Sequence, residues 1–291
     1  MAAAVVDAHT HLFGPDVVRG REALLGREPW FGALYANPKA ALAGETDLLA
    51  AMDEAGVETA VACGFPWSDP GRCRAENDVL AEASQRGGGR VAWLASVSPK
   101  HGPGAAQEAA RAFALGASGL GELNADGQGF DLADPAALAP VALACIDADR
   151  PLLLHASEPL GHAYPGKGTA TPDKLLAFVG AFPDLRVVLA HWGGGLPFYE
   201  LMPEVAAACA NVWYDTAAST YLYRPAVFRA VLDVVGPAKV LWGSDYPVLG
   251  MERFLRRSRD EAGVRADEAD ALFGGNARRV YALPERAGVP S

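Results

Sequence analysis

The segment Val5-Val6-Asp7-Ala8-His9-Thr10-His11 sets two imidazoles one residue apart, directly after a pair of β-branched residues. On a β-strand alternate side chains face the same way, so this spacing puts His9 and His11 on one face with Asp7 one step deeper. Two imidazoles so placed can grip one divalent ion, and a nearby carboxylate can orient them. Taken alone, the pair fits equally well two partly buried histidines satisfied by backbone. The rest of the chain breaks the tie. Glu122 closes the run Gly119-Leu120-Gly121, and His155 closes Leu152-Leu153-Leu154. His191 closes Val187-Val188-Leu189-Ala190, and Asp245 follows Leu241-Trp242-Gly243-Ser244. Residue types that bind metal thus end one apolar run after another. Structural zinc is usually closed by four protein ligands, often thiolates, whereas histidine and carboxylate suit a catalytic ion that acidifies water and polarises a carbonyl. In that chemistry Asp245 accepts the water's proton, and His191 stabilises an oxyanion or protonates a leaving group.

The elements that must position these residues follow from the same runs. Strands are predicted at Ala3–Asp7, Glu58–Cys63, Arg90–Val97, Ser118–Leu123, Pro151–His155, Arg186–His191, Val212–Thr216 and Lys239–Trp242. Helical patterns separate them, with Gly56 closing Asp47–Ala55, Asp134-Pro135 opening a second, and Thr171-Pro172 opening one that runs to Phe182. Pro225 opens another, and Gly236-Pro237 ends it. Eight strand-then-helix units predict an α/β chain folded as one (β/α)8 TIM barrel over residues 1–291, with extra C-terminal helices from Ala266 to Leu283. The long connections Leu12–Gly44, Gly64–Ala75 and Ala156–Thr171 each follow a strand and therefore lie at the C-terminal mouth, where such barrels carry their chemistry. A structureless loop as long as the first is expected to be functional or a lid.

Composition narrows the function. Across 291 residues, 51% hydrophobic and 21% charged, the chain can bury a large core. A net charge of -10 argues against nucleic acid or an anionic membrane as a partner and leaves a small-molecule substrate. Cys63, Cys73, Cys145 and Cys209 have no CxxC spacing and read as reduced, mostly buried thiols. With no basic leader and no apolar run of ~20 residues, the expectation is a soluble cytoplasmic protein.

These motifs resemble the amidohydrolase superfamily, specifically its amidohydrolase-related branch with the aminocarboxymuconate-semialdehyde decarboxylase-like enzymes. The resemblance rests on Asp7-Ala8-His9-Thr10-His11, Leu154-His155, Ala190-His191-Trp192-Gly193-Gly194, Gly243-Ser244-Asp245-Tyr246-Pro247 and Asn276-Ala277-Arg278-Arg279-Val280-Tyr281. Cys73-Arg74-Ala75-Glu76-Asn77-Asp78 is also similar to a recurring segment of that branch. It implies that His9, His11, His155 and Asp245 bind a divalent metal, most often zinc, with manganese, cobalt or iron as alternatives. His191 then works beside the ion or ligates a second one. Glu122 departs from the mononuclear members, where this place is often not acidic, and resembles the carboxylate that bridges two ions in some binuclear hydrolases; the expectation is that it contacts metal, in a site of one or two ions.

The reading is a metal-dependent hydrolase of a small amide, lactone or similar carbonyl substrate. The alternative is a non-oxidative decarboxylase in which an arginine grips the departing carboxylate, and a remote third is a non-catalytic metal-binding barrel. Candidate substrate contacts are Arg72, His162, Tyr164, Lys167 and Trp192, each weighed against ordinary packing or a solvated loop charge. Trp30, Trp67, Tyr221, Tyr223 and Tyr246 are candidate pocket walls, and Arg74 is a further carboxylate holder. Family members often self-associate, so a homo-oligomer is compatible with the resemblance.

Overall fold

Strands that are apolar on both faces need cover on both, and a parallel sheet wrapped by helices provides it. The computed structural model describes residues 4–284, in which eight strands pair in parallel in sequence order. They are β1 (Val5–His11), β2 (Val57–Cys63), β3 (Val91–Ala95), β4 (Gly119–Leu123), β5 (Leu152–Leu154), β6 (Val187–Leu189), β7 (Val212–Asp215) and β8 (Val240–Leu241). The ring closes between β8 and β1. There the Ala8 N–H donates to the Trp242 carbonyl at 2.9 Å and the Asp245 N–H donates to the His9 carbonyl at 2.9 Å. This is the expected TIM barrel. The Ala3 start proposed for the first strand lies outside the described residues.

β1 differs from expectation at its far end. It continues past Asp7 to His11, because Thr10 and His11 pair with Ala62 and Cys63 of β2 while Thr10 also bridges Tyr246. Its register slips between Asp7 and Thr10, so strict alternation does not run through the motif. Val6 and Ala8 join the apolar set shared with Val61, Leu94, Leu153 and Leu241.

The loops are more ordered than the sequence suggests. The Leu12–Gly44 connection is not structureless: it holds the short helices Pro15–Arg19, Arg21–Leu25 and Pro29–Tyr35. Proline begins two of them, where its fixed φ suits a helix start. Phe13, Val17, Phe31, Tyr35, Phe65 and Trp67 give this segment a small core of its own. After β2 the chain enters the helix Pro70–Arg86, capped by Asp69, whose carboxylate accepts the Arg72 N–H at 2.8 Å. Arg72 and Arg74 therefore sit on the first turns of a helix rather than on a loop. Among the described residues, no helix is long and apolar enough to cross a membrane. All four cysteines are buried and free.

The C-terminal helix Asn276–Val280 packs Ala277, Val280 and Tyr281 onto the same apolar set as Val6 and Val61. Asn276 anchors it, donating from Nδ2 to the carbonyls of Pro237 and Val240, both at 2.6 Å. Truncation strands buried carbonyls, at a cost of ~1–3 kcal/mol. Asn276→Ala should lower the melting temperature by roughly 2–4 °C for each kcal/mol lost. A thermal melt identical to wild type would remove the anchoring role.

Candidate metal centre

Four donor atoms from three strand ends converge at the mouth of the barrel. His9 and His11 arrive on β1, Glu122 on β4, and Asp245 just after β8. His9 Nε2 and His11 Nε2 stand 3.3 Å apart. Glu122 Oε2 lies 4.0 Å from the first and 3.7 Å from the second. Asp245 Oδ1 lies 3.8 Å and 3.3 Å from the same two nitrogens. Donors ~2.0–2.2 Å from a tetrahedral ion stand roughly 3.3–3.6 Å from one another, so this set needs little adjustment to hold one. The other Glu122 oxygen turns to a second pair: Oε1 is 2.9 Å from His155 Nδ1 and 3.3 Å from His191 Nε2. Glu122 is thus common to both histidine groups. His155, expected beside His9 and His11, meets the cluster through Glu122.

The remaining ring nitrogens decide which atom of each imidazole is free. His9 Nδ1 is 2.7 Å from Asp215 Oδ2, and His11 Nδ1 faces the Gly64 carbonyl at 3.3 Å. His155 Nε2 faces the Gly166 carbonyl at 3.0 Å, and His191 Nδ1 the Ala217 carbonyl at 3.1 Å. Each ring can donate outward to an oxygen and keep its inward nitrogen as a lone-pair donor, which is how proteins prepare histidine for metal. Asp215 is the residue sequence reasoning missed. Its signal was the one used for the others, a carboxylate ending the apolar run Val212-Trp213-Tyr214. Asp7, expected to orient the pair, instead accepts the backbone N–H groups of His9 and Ser244 at 3.2 Å and 2.9 Å. The slip in β1 after Asp7 accounts for the difference.

Burial disfavours every charge here, and mutual pairing reverses it. Glu122 is desolvated, yet His155, His191 and His9 hold its carboxyl well below the usual range. Asp245 is likewise held down against burial, by His11, His9 and His191. For His9, burial is outweighed by Asp215, then Glu122 and Asp245, and the imidazole is pushed up to about 10. For His191, burial is outweighed chiefly by Glu122, and the ring is pushed up to about 9. Glu122 and Asp245 stay ionised, and His9 and His191 hold protons in balance. A divalent cation fits this donor set by replacing the His9 proton.

A family model described as Amidohydrolase matches residues 6–283. The chain belongs to the amidohydrolase family. Members are metal-dependent enzymes, and the centre above is where this amidohydrolase would bind its ion. An L-fucono-1,5-lactonase of Burkholderia multivorans is 31% identical over 115 residues, 34% of this chain and 38% of that protein. A 6-methylsalicylic acid decarboxylase of Penicillium expansum is 29% identical over 106 residues, 31% of this chain and 32% of that protein. The matched stretches thus span less than half of these relatives. In fold, the chain is similar to the 5-carboxyvanillate decarboxylase of Sphingomonas paucimobilis, with TM-score 0.81 at 21% identity over 97% of this chain and 100% of that one.

Above the centre opens a cavity of 570 Å³, into which His11, Glu122, His155, His191 and Asp245 all face. His162, Tyr164, Trp30 and Tyr221 line it, as the sequence suggested. Four other candidates, Trp192, Arg72, Lys167 and Arg74, lie elsewhere. Trp192 is fully buried, its indole N–H given to Ser219 Oγ at 2.7 Å and its ring set against Phe228. Arg72 rests over the Trp67 ring at 5.6 Å and borders a different, shallow cleft. Lys167 donates to the carbonyls of Leu160 and His162 at 2.6 Å and 3.2 Å, bracing the loop after β5. Arg74 pairs with Glu108 at 3.2 Å.

Elemental analysis of the purified protein should find about one or two divalent ions per chain, and His9→Ala/His11→Ala should remove most of them. Asp215→Asn should weaken metal binding ~10–100-fold with the fold intact. Because the ion displaces the proton that His9 holds, its uptake releases acid and its apparent affinity rises with pH. Full occupancy in the double variant, or affinity independent of pH, would refute the assignment.

Proposed function

We propose that this protein is a metal-dependent hydrolase that opens a small, uncharged lactone or related carbonyl compound. The observation that carries the reading is Glu122, whose two oxygens divide between His9/His11 and His155/His191, an arrangement suited to neutralising two ions at one hydrolytic centre. A second observation agrees with it. No arginine is found among the described residues lining the cavity, so nothing there offers the forked grip that a departing carboxylate would use. The partial match to a lactonase points the same way.

When bound, a divalent ion, for which zinc is the first choice, supplies an acidified water and polarises the substrate carbonyl. The protein does the rest. Asp245, kept ionised by its histidine neighbours, accepts a proton from the attacking water. With His191 Nδ1 directed at the Ala217 carbonyl, the movable proton sits on Nε2, which delivers it to the ring oxygen as the carbon–oxygen bond breaks. One water is consumed, the carbonyl carbon gains a hydroxyl, and the ring oxygen leaves as an alcohol. Trp30, Phe65, Tyr164 and Tyr221 wall the substrate and limit the access of bulk water.

The same aromatic walls favour a second reading, decarboxylation of a flat hydroxybenzoate, in keeping with the partial match to 6-methylsalicylic acid decarboxylase. A screen of the metal-loaded protein separates the two. Opening of aldono-1,5-lactones, followed by acid release, supports hydrolysis; carbon dioxide from hydroxybenzoates without lactone opening replaces it with the second reading. On a turned-over lactone, Asp245→Asn and His191→Ala should each lower kcat by ~10²–10⁴-fold. Near-normal turnover in both variants would overturn their proton-transfer roles.

A further inference from the structure

Tyr35 ends the helix Pro29–Tyr35 in the connection after β1, and it borders the same cavity as Glu122, His191 and Asp245. It is 7% exposed. Its ring is fixed on three sides, with centroids 4.8 Å from Phe31, 5.4 Å from Phe13 and 6.0 Å from Phe65. The backbone behind it is fixed too. Arg21 donates from Nε and Nη2 to the Tyr35 carbonyl at 2.9 Å and 2.6 Å, and onward to the carbonyls of Asn37 and Ala40.

The Tyr35 hydroxyl has no hydrogen-bond acceptor among the described residues, and, unlike the Tyr281 hydroxyl, it is not sealed in the interior, so it is left free toward the cavity that Tyr35 lines. The nearby contrasts are plain: Tyr164 donates to Glu158 at 2.8 Å, and Tyr214 donates to Glu200 at 2.7 Å. Burial, with the charges of Asp245, Glu122 and Glu76, pushes the Tyr35 phenol up, so it keeps its proton throughout the neutral range. It is a fixed O–H donor on the wall of the cavity that Glu122, His191 and Asp245 face.

We propose that Tyr35 is a catalytic hydrogen-bond donor whose hydroxyl meets the oxygen that becomes negatively charged when the substrate carbonyl is attacked. The assignment rests on the hydrolytic reading. Tyr35 forms no covalent bond and keeps its proton; the hydrogen bond shortens as charge develops on the oxygen, which selectively stabilises the transition state. A rigid ring set by Phe13, Phe31 and Phe65 means that little reorganisation is needed at that moment.

Tyr35→Phe removes only the oxygen and leaves the aromatic packing in place, so metal content and melting temperature should match wild type. The probe is methylphosphonate, a small tetrahedral anion, titrated calorimetrically into the metal-loaded protein. The variant should bind it roughly ten- to a hundredfold more weakly. On any lactone that is turned over, kcat should fall ~10²–10³-fold with KM nearly unchanged. Equal affinity in the two proteins, or no binding to wild type, would overturn the proposal. Should no lactone be opened while methylphosphonate affinity still depends on Tyr35, the donor role stands and the hydrolytic reading falls.

Discussion

The structure is organised by the need to bury Glu122, Asp215 and Asp245 together. An ionised carboxylate taken out of water costs several kcal/mol unless it is paired and hydrogen-bonded. Asp215 meets that demand with fixed protein partners. One of its oxygens takes His9 Nδ1, and the other accepts the backbone N–H groups of His191 and Ala217 at 2.9 Å and 3.0 Å. Glu122 and Asp245 have only imidazoles to balance them, and those imidazoles need protons or metal to do so. The centre is therefore poised for a cation before any substrate is considered.

Local backbone follows from this demand. His191 and Asp245 adopt left-handed conformations, with φ of 56° and 65°, which costs ~1–3 kcal/mol for residues other than glycine. Asp215 holds the first by its N–H, and the His9 carbonyl holds the second. Where the chain then turns away from β6, a side chain at Gly194 would put its Cβ 2.3 Å from the Ser157 carbonyl oxygen, so the turn needs glycine there. A similar logic explains Glu76-Asn77. Glu76 accepts the Phe65 N–H at 2.9 Å and the Trp67 indole N–H. Asn77 pairs with both backbone groups of Ser96, at 2.8 Å and 2.9 Å, and Ser96 Oγ donates to the Phe65 carbonyl at 3.1 Å. These bonds fix the loop after β2, whose Gly64 carbonyl receives His11 Nδ1. The helix after β2 thereby orients a ring in the centre without touching it.

The barrel and most of its centre were legible because both obey strand periodicity. Apolar runs of four to eight residues mark buried parallel strands, and a polar residue at the end of such a run can only be explained by something at the mouth. That rule found His155, His191, Glu122 and Asp245, and applied once more it finds Asp215. Asp7 was misread because a bulge is invisible to a rule of simple alternation. Arg72, Lys167 and Trp192 were misread for a different reason. A loop's sequence reveals which groups it carries but not where they turn, and here each side chain is claimed by a local partner: the Trp67 ring, two carbonyls, and Ser219. The long first loop hid its order in the same way, since its helices are short and owe their stability to aromatic packing against Phe65 and Trp67 rather than to periodicity.

Reaction class is then a question about charge at the rim, because the same centre suits either chemistry. Lys39 is the one lysine or arginine among the described residues lining the cavity, so a carboxylate substrate would depend on the bound ion for its grip. Lys39 is exposed, so water screens its pull on such a substrate. A neutral lactone needs no such grip on entry. On the hydrolytic proposal its negative charge would arise only after attack, near the residues that would hold the cation and near the Tyr35 phenol, so the electrostatic gain would fall on the transition state rather than on the ground state. Decarboxylation differs: its charge is present from the start and, because carbon dioxide leaves neutral, passes to the carbon that must then take a proton, and no arginine among the described lining residues offers a forked grip on the departing group. The distribution of fixed charge, more than the metal ligands, is what supports the proposal of hydrolysis.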